Sequence, residues 1–212
     1  AMDEVVQMMG GLAYMTGPPG RPLRAGSSVI DIGGGMFGAL GILSALFQRE
    51  RTGEGRYIKS ALFETIAFFM GQHMAYASVS DKPVPPMPAR VSAWSIYRVF
   101  KTAEQTPLFV GIISDKQWQA FCRSFERNDW LEDPRLTTNN DRIDAAEWFV
   151  PQVEAMFAGL PFEEAVARCG AAGIPFAPIT RPEDLFSDPQ LNRDEGGLLD
   201  TTLPNGVRTR LP

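Results

Sequence analysis

The sequence predicts an α/β fold, and three observations carry that prediction. Apolar residues recur at helical spacing over residues 33–51, 63–78 and 142–158. Two alternating runs, residues 95–100 and 108–113, are joined by a polar turn ending in Pro107 and read as a β-hairpin. A second pair, residues 198–203 and 207–211, flanks Pro204, Asn205 and Gly206, a hairpin signal of its own.

Taken in order, residues 3–9 read as a short helix stopped by Gly10 and Gly11. Residues 17–20, Gly-Pro-Pro-Gly, form a turn, and residues 22–28 are extended. Asp31 then sits among the β-branched residues Val29, Ile30 and Ile32, where a strand or core-entering segment is expected. A helix is predicted to open near Gly33 and to stack Met36, Phe37, Leu40, Leu43 and Phe47 along one side. Arg49 and Arg51 suit its last turn, and residues 52–55 (Thr-Gly-Glu-Gly) end it. Residues 56–61 read as a short strand. The helix over 63–78 aligns Leu62, Ile66, Phe69 and His73.

Residues 79–94 carry Pro83, Pro85, Pro86 and Pro88 with few apolar anchors, the composition of a semi-rigid linker. After the first hairpin, Ser114 and Gln117 have the spacing of a capping box, opening a helix that buries Trp118, Phe121, Cys122 and Phe125. Asp133, Pro134, Arg135 and the polar tract 137–141 close this unit. In the next helix, Pro151 is expected to kink or divide the segment. Pro161 suits a first helical position, and the helix it opens runs to Cys169 and stops at Gly170 and Gly173. Prolines at 175 and 178 force residues 174–179 into extended backbone. Two short helical turns, 182–186 and 189–192, precede the final hairpin.

Composition narrows the function classes. Of 212 residues, 44% are hydrophobic and 21% charged, ordinary for a globular protein. A net charge of −5 with scattered Lys and Arg gives no footprint for nucleic acid. No apolar run approaches the ~20 residues needed to span a bilayer, so no membrane partner is expected. Cys122 and Cys169 lie far apart, without a CxxC or a Cys/His cluster. They read as two reduced thiols of a cytoplasmic protein, with no metal implied. The two ends of the sequence, starting within a helical pattern and stopping in a strand, suggest a piece of a longer polypeptide.

The candidate chemistry centres on Asp31 and the three glycines after it. Asp is disfavoured in a strand and costly to bury charged, so its place calls for a reason. One reading makes it a cap for the following helix. The other makes it a covalent nucleophile beside bare backbone, with the N–H groups of glycines 33 to 35 available to a developing oxyanion. His73, the only histidine, has no carboxylate or serine at helical spacing and reads as part of a packed face with Phe69, Tyr76 and Ala77. No phosphate loop, dinucleotide fingerprint, zinc-protease motif or nucleophile-elbow motif is present.

Several segments resemble one family in order. Arg24, Gly26 and Asp31 come first. Then follow Gly41, Ile42, Leu43, Ala45, Leu46, Arg49, Arg51, Thr52, Gly53, Gly55 and Arg56, and after them Ser60, Leu62 and Glu64. Residues 97–102, Gln117 with Trp118, residues 133–135, residues 171–175 with Ala177 and Pro178, and residues 188–190 continue the match. The set resembles the family III CoA-transferases, the carnitine/bile-acid CoA-transferase group. That resemblance implies Asp31 as the nucleophile that takes an acyl group from an acyl-CoA as an anhydride and then carries CoA as an aspartyl thioester. Gly34 and Gly35 would line the reacting thioester. The implied partners are an acyl-CoA and a small carboxylic acid, with CoA a substrate and no permanently bound cofactor.

The same resemblance implies a Rossmann-like large domain with an inserted small α/β domain, two protomers interlocking as a homodimer. On that plan residues 1–78 are a large-domain segment carrying the nucleophile, 79–140 the linker and small domain, and 141–212 the return to the large domain. The N-terminal nucleotide-fold portion would be missing, leaving this chain incompetent by itself. Two departures bear on the reading. The racemases of 2-methylacyl-CoA esters in this family carry a histidine that would align with Met2, so that alternative loses its second base. The loop over the active site, glycine-rich in some transferases, is proline-rich here at residues 85–94. A further alternative is a non-catalytic dimerisation or binding fragment in which Asp31 only caps. Arg24 and Arg90 are candidates to meet a second carboxylate of a dicarboxylic substrate.

Overall fold

The structure, a computed structural model, describes residues 2–90, 92–193 and 196–212. Val91 of the proline-rich loop and Ala1 lie outside the described residues. The chain divides into two compact units, residues 1–91 and 92–212.

The first unit is helical. Helix α1 (Asp3–Met9) ends at Gly10 as expected, and a short α2 (Leu12–Thr16) follows Gly11, whose φ of 88° suits glycine. Helix α3 (Val29–Thr52) is the long element, and it closes on Gly53 in the left-handed conformation at φ 74°. It starts four residues before the expected Gly33, so the β-branched run around Asp31 is the first turn of a helix, not a strand. The predicted helix over 63–78 is two: α4 (Leu62–Phe69) and α5 (Gly71–Val79), parted at Met70 ahead of Gly71. Residues 56–61, expected as a strand, carry no regular secondary structure and pair with no strand among the described residues. The core joins Val6, Met15, Ile30, Ile66 and Met70, with Val84 packed against it. Tyr14 also donates its hydroxyl to the Val84 carbonyl at 2.9 Å, and the turn at Met87–Ala89 lies against α2, so the proline-rich segment folds back on this unit.

The expected apolar side of α3 is not buried. Met36, Leu40, Leu43 and Phe47 are all more than half exposed, and Phe37 is 37% exposed. By length and composition α3 would suffice to cross a membrane, contrary to the expectation of no such run. Glycine and Ser44 lengthen the apolar stretch without adding charge. Within the unit the helix packs one side on α4.

The second unit has a three-stranded antiparallel sheet, β1 (Tyr97–Lys101), β2 (Pro107–Gly111) and β3 (Phe176–Pro178), in that spatial order. Helices α6 (Asp115–Ser124), α7 (Asn128–Glu132), α8 (Asn139–Asp144), α9 (Ala146–Ala158) and α10 (Phe162–Ala172) surround its core. Phe100, Phe121, Trp130, Phe149 and Phe157 are buried there, so helices of the 141–212 segment share one core with the hairpin. Ser114 accepts from the Gln117 N–H as a cap, but Gln117 reaches back to Ile113 rather than to Ser114. The break near Pro151 falls instead at Ala145, between α8 and α9, and Pro151 sits inside α9. Helix α10 passes Gly170 and ends at Gly173, φ 61°. The final hairpin is β4 (Leu199–Thr202) and β5 (Arg208–Leu211), a separate antiparallel pair.

Candidate active site

Asp31 occupies the third position of α3 and is exposed. No hydrogen bond or ion pair holds its carboxylate among the described residues. The helix start beneath it is built from elsewhere. Ser28 stands at the N-cap position without a side-chain cap bond. The cap comes instead from α1: Asp3 Oδ1 accepts the Ile30 N–H at 3.1 Å. Gln7, one turn further along α1, donates to Asp3 Oδ2 at 2.6 Å and accepts the Ala25 N–H at 2.8 Å. Asp3 and Gln7 are both buried, Gln7 completely.

The three glycines do different things. A Cβ on Gly33 would meet Phe69 Cζ at 2.7 Å, and one on Gly34 would meet Leu62 Cδ2 at 2.6 Å. These two glycines let α3 approach α4 closely, and the Gly34 carbonyl accepts the Ser60 hydroxyl at 2.8 Å. Gly35 faces open space and is exposed. It lies one turn beyond Asp31, so the two share a face of the helix. Because α3 starts at Val29, its ladder takes the N–H groups of Gly33, Gly34 and Gly35. They do not point outward as the sequence suggested. The Asp31 N–H is the one at this helix mouth without an acceptor among the described residues.

Other candidates fall elsewhere. His73 is half-buried in α5, its Nε2 3.3 Å from the Gln72 amide nitrogen, while Tyr76 is exposed rather than packed with it. Arg24 pairs with Glu4 at 3.5 Å and donates to the Ala25 carbonyl. Two open cavities flank α3, one of about 320 Å³ lined by Leu46, Arg49, Arg56 and Tyr57, the other of about 250 Å³ lined by Phe37, Ser60, Glu64 and Phe68. Asp31 lines neither. What sequence reasoning missed is the Asp3 and Gln7 pair. Its signal was present: two polar residues at i, i+4 in a helix whose neighbours Val6 and Ile30 form core.

Comparison with known proteins agrees across sequence and structure. The model of CoA-transferase family III matches residues 1–210. The chain is 30% identical to an acetyl-CoA:oxalate CoA-transferase of Acetobacter aceti over 90% of its own length and 49% of that protein's. It is 27% identical to a succinyl-CoA:glutarate CoA-transferase of Mus musculus, over 89% of this chain and 43% of the relative. The crystal structure of a CAIB/BAIF family protein from Brucella suis superposes with a TM-score of 0.79 at 26% identity, over 98% of this chain and 54% of that one. The chain thus spans about half the length of the relatives it matches.

Proposed function

The chain belongs to CoA-transferase family III, and from that premise we propose that the complete protein moves CoA from an acyl-CoA to a small carboxylic acid, with Asp31 as nucleophile. The single observation that carries this reading is the division of labour at the start of α3. Asp3 supplies the cap, so the neighbouring Asp31 carboxylate is left exposed and unpaired among the described residues. A carboxylate with no structural duty at a helix mouth is available for covalent chemistry.

The steps balance without an outside reagent. An Asp31 carboxylate oxygen attacks the thioester carbonyl, and CoA leaves as a thiolate, giving a mixed anhydride. The thiolate attacks the Asp31 carbonyl of that anhydride, freeing the donor acid as its carboxylate and leaving an aspartyl-CoA thioester. An acceptor carboxylate attacks this thioester, expelling the thiolate and forming a second anhydride. Attack of the thiolate on the acceptor carbonyl restores Asp31 and releases the new CoA ester. The Asp31 N–H and the positive end of α3 suit the oxyanion that develops at each attack. Gly35, bare and one turn away, gives the thioester room. Gly34 acts from behind, setting the helix against Leu62. The relatives' names, succinyl-CoA with glutarate and acetyl-CoA with oxalate, point to short carboxylates as donors and acceptors.

The remaining portion of the protein, in this reading, completes a Rossmann-like large domain beside residues 56–61 and covers the exposed flank of α3, within an interlocked homodimer. The isolated chain is then incompetent. The two buried, unpaired thiols fit a reducing compartment such as the cytoplasm. The test is to treat the complete protein with acyl-CoA, trap with hydroxylamine and weigh the Asp31 peptide. A hydroxamate on Asp31 is expected. Exchange of the substrate α-proton with no adduct would replace the transferase by the racemase reading, and neither result would leave a binding module.

A further inference from the structure

Asp3 is a buried carboxylate that the transfer steps do not consume. Burying a charge is costly unless it is well bonded, and among the described residues no cation pairs with this one. Its partners are a neutral amide and a helix N-terminus. Oδ1 takes the Ile30 N–H at 3.1 Å and a longer 3.3 Å contact from the Gln7 amide, which bonds Oδ2 at 2.6 Å. Gln7 cannot turn its amide around, because its own oxygen is committed to the Ala25 N–H at 2.8 Å. Its nitrogen therefore faces position 3, with a longer contact of 3.5 Å to the Ser27 carbonyl. Position 3 must accept on both sides, which a carboxylate does and an amide does not. The pair thus grips residues 25–30, and the residue after the last gripped N–H is Asp31.

We propose that Asp3, oriented by Gln7, is a positioning residue for Asp31: it fixes the first turn of α3 so that the Asp31 carboxylate stands clear of every structural bond. The inference rests on the reading of Asp31 as nucleophile and extends it to a residue that never touches the substrate. It makes three demands. The grip must be felt at the Ile30 amide. Its loss must slow the chemical step more than it weakens substrate binding. Moving the charge one partner along while keeping the bonds must restore both. The swap Asp3→Asn with Gln7→Glu does this: the new amide donates to the new carboxylate, which still accepts the Ala25 N–H, at the expense of the long contacts to the Ser27 carbonyl and to Oδ1 of residue 3.

The experiment compares the complete native protein, D3N and D3N/Q7E by amide exchange at Ile30 and by the kinetics of hydroxylamine-trapped adduct formation with an acyl-CoA. A charged hydrogen bond of this kind makes the expected rise in Ile30 exchange for D3N roughly tenfold or more. Its kcat should fall by about tenfold while KM stays within about twofold, as for loss of an interaction that matters mainly in the transition state. The double variant should return both readouts most of the way to native. Native exchange at Ile30 in D3N, or native kcat in D3N, overturns the proposal. So does a double variant no better than D3N, including one that fails to fold where D3N also fails. If the native protein forms no adduct at Asp31, the transferase reading falls, and the Ile30 exchange series still decides whether Asp3 and Gln7 grip the helix start.

Discussion

Asp31 and its neighbours can be separated by what each loses on substitution. Asp31→Asn removes the proposed nucleophile but breaks no bond among the described residues. The cost in stability should stay below about 1 kcal/mol, the worth of a carboxylate near an exposed helix N-terminus. Activity of the complete protein should fall on the order of a thousandfold or more. A thermal melt beside a CoA-transfer assay checks both, and a large stability loss with retained activity would return Asp31 to the role of a cap. The two thiols give a second residue-scale prediction. Burial pushes Cys122 and Cys169 up to about 12. Each therefore stays protonated in the folded chain after its unfolded counterpart has ionised. Their contribution to stability is complete below the unfolded value near 9 and is lost as pH rises toward 12. Iodoacetamide at pH 8.5 should label neither cysteine until denaturant unfolds the second unit. Rapid labelling of the native protein would contradict their burial.

At the scale of elements, α3 is where local reading and tertiary structure part company. Val29, Ile30 and Ile32 have strand propensity, so the pattern delayed the helix to Gly33. Asp3, 27 residues away, caps Ile30 and draws the helix start back to Val29. No local pattern contains that bond. The helix end was legible, because Arg49, Arg51 and Gly53 are local signals. The first hairpin and α6 were legible for the same reason. The break at Ala145 was not, because Pro151 is the louder signal, yet it forfeits one ladder bond inside α9 without stopping it. The glycines make the element testable. Gly35→Ala adds a methyl in open space and should stabilise the helix by up to about 1 kcal/mol. In the complete protein it should also lower kcat/KM, since it fills the face shared with Asp31. Gly10→Ala should instead destabilise, because its Cβ would run into Cγ2 of the wholly buried Ile66. Overpacking there should cost about 1–3 kcal/mol. Phe37→Ala, worth about 3–5 kcal/mol at a buried position, should cost roughly 1–2 here, where the ring is 37% exposed and keeps an edge contact with Phe68 and a tilted one with Phe69. Urea unfolding of the three variants tests the set.

Across the whole chain, each unit should show the stability that its own core can supply. In the second unit Trp118, Phe121, Trp130, Phe149 and Phe157 are stacked or edge-packed at the centre, and Arg142, almost fully buried, lies over Trp118 while binding the Leu136 and Thr137 carbonyls. The first unit has a smaller buried cluster and leaves Ile32, Met36, Leu40, Leu43 and Phe47 in water along α3. Apolar surface on that scale in one helix is unusual for a face left in water. The sequence supplied the helices of this unit but not their cover, because helical spacing names an apolar side without saying which chain buries it. Residues 92–212 prepared alone should therefore melt in one cooperative transition, with a near-ultraviolet dichroism signal from the packed tryptophans. Residues 1–91 alone should bind an apolar dye and lack a sharp transition. The assignment of a self-sufficient core to the second unit fails if its isolated segment shows no cooperative melt, and the exposed flank of α3 is misjudged if the first segment melts sharply without binding dye.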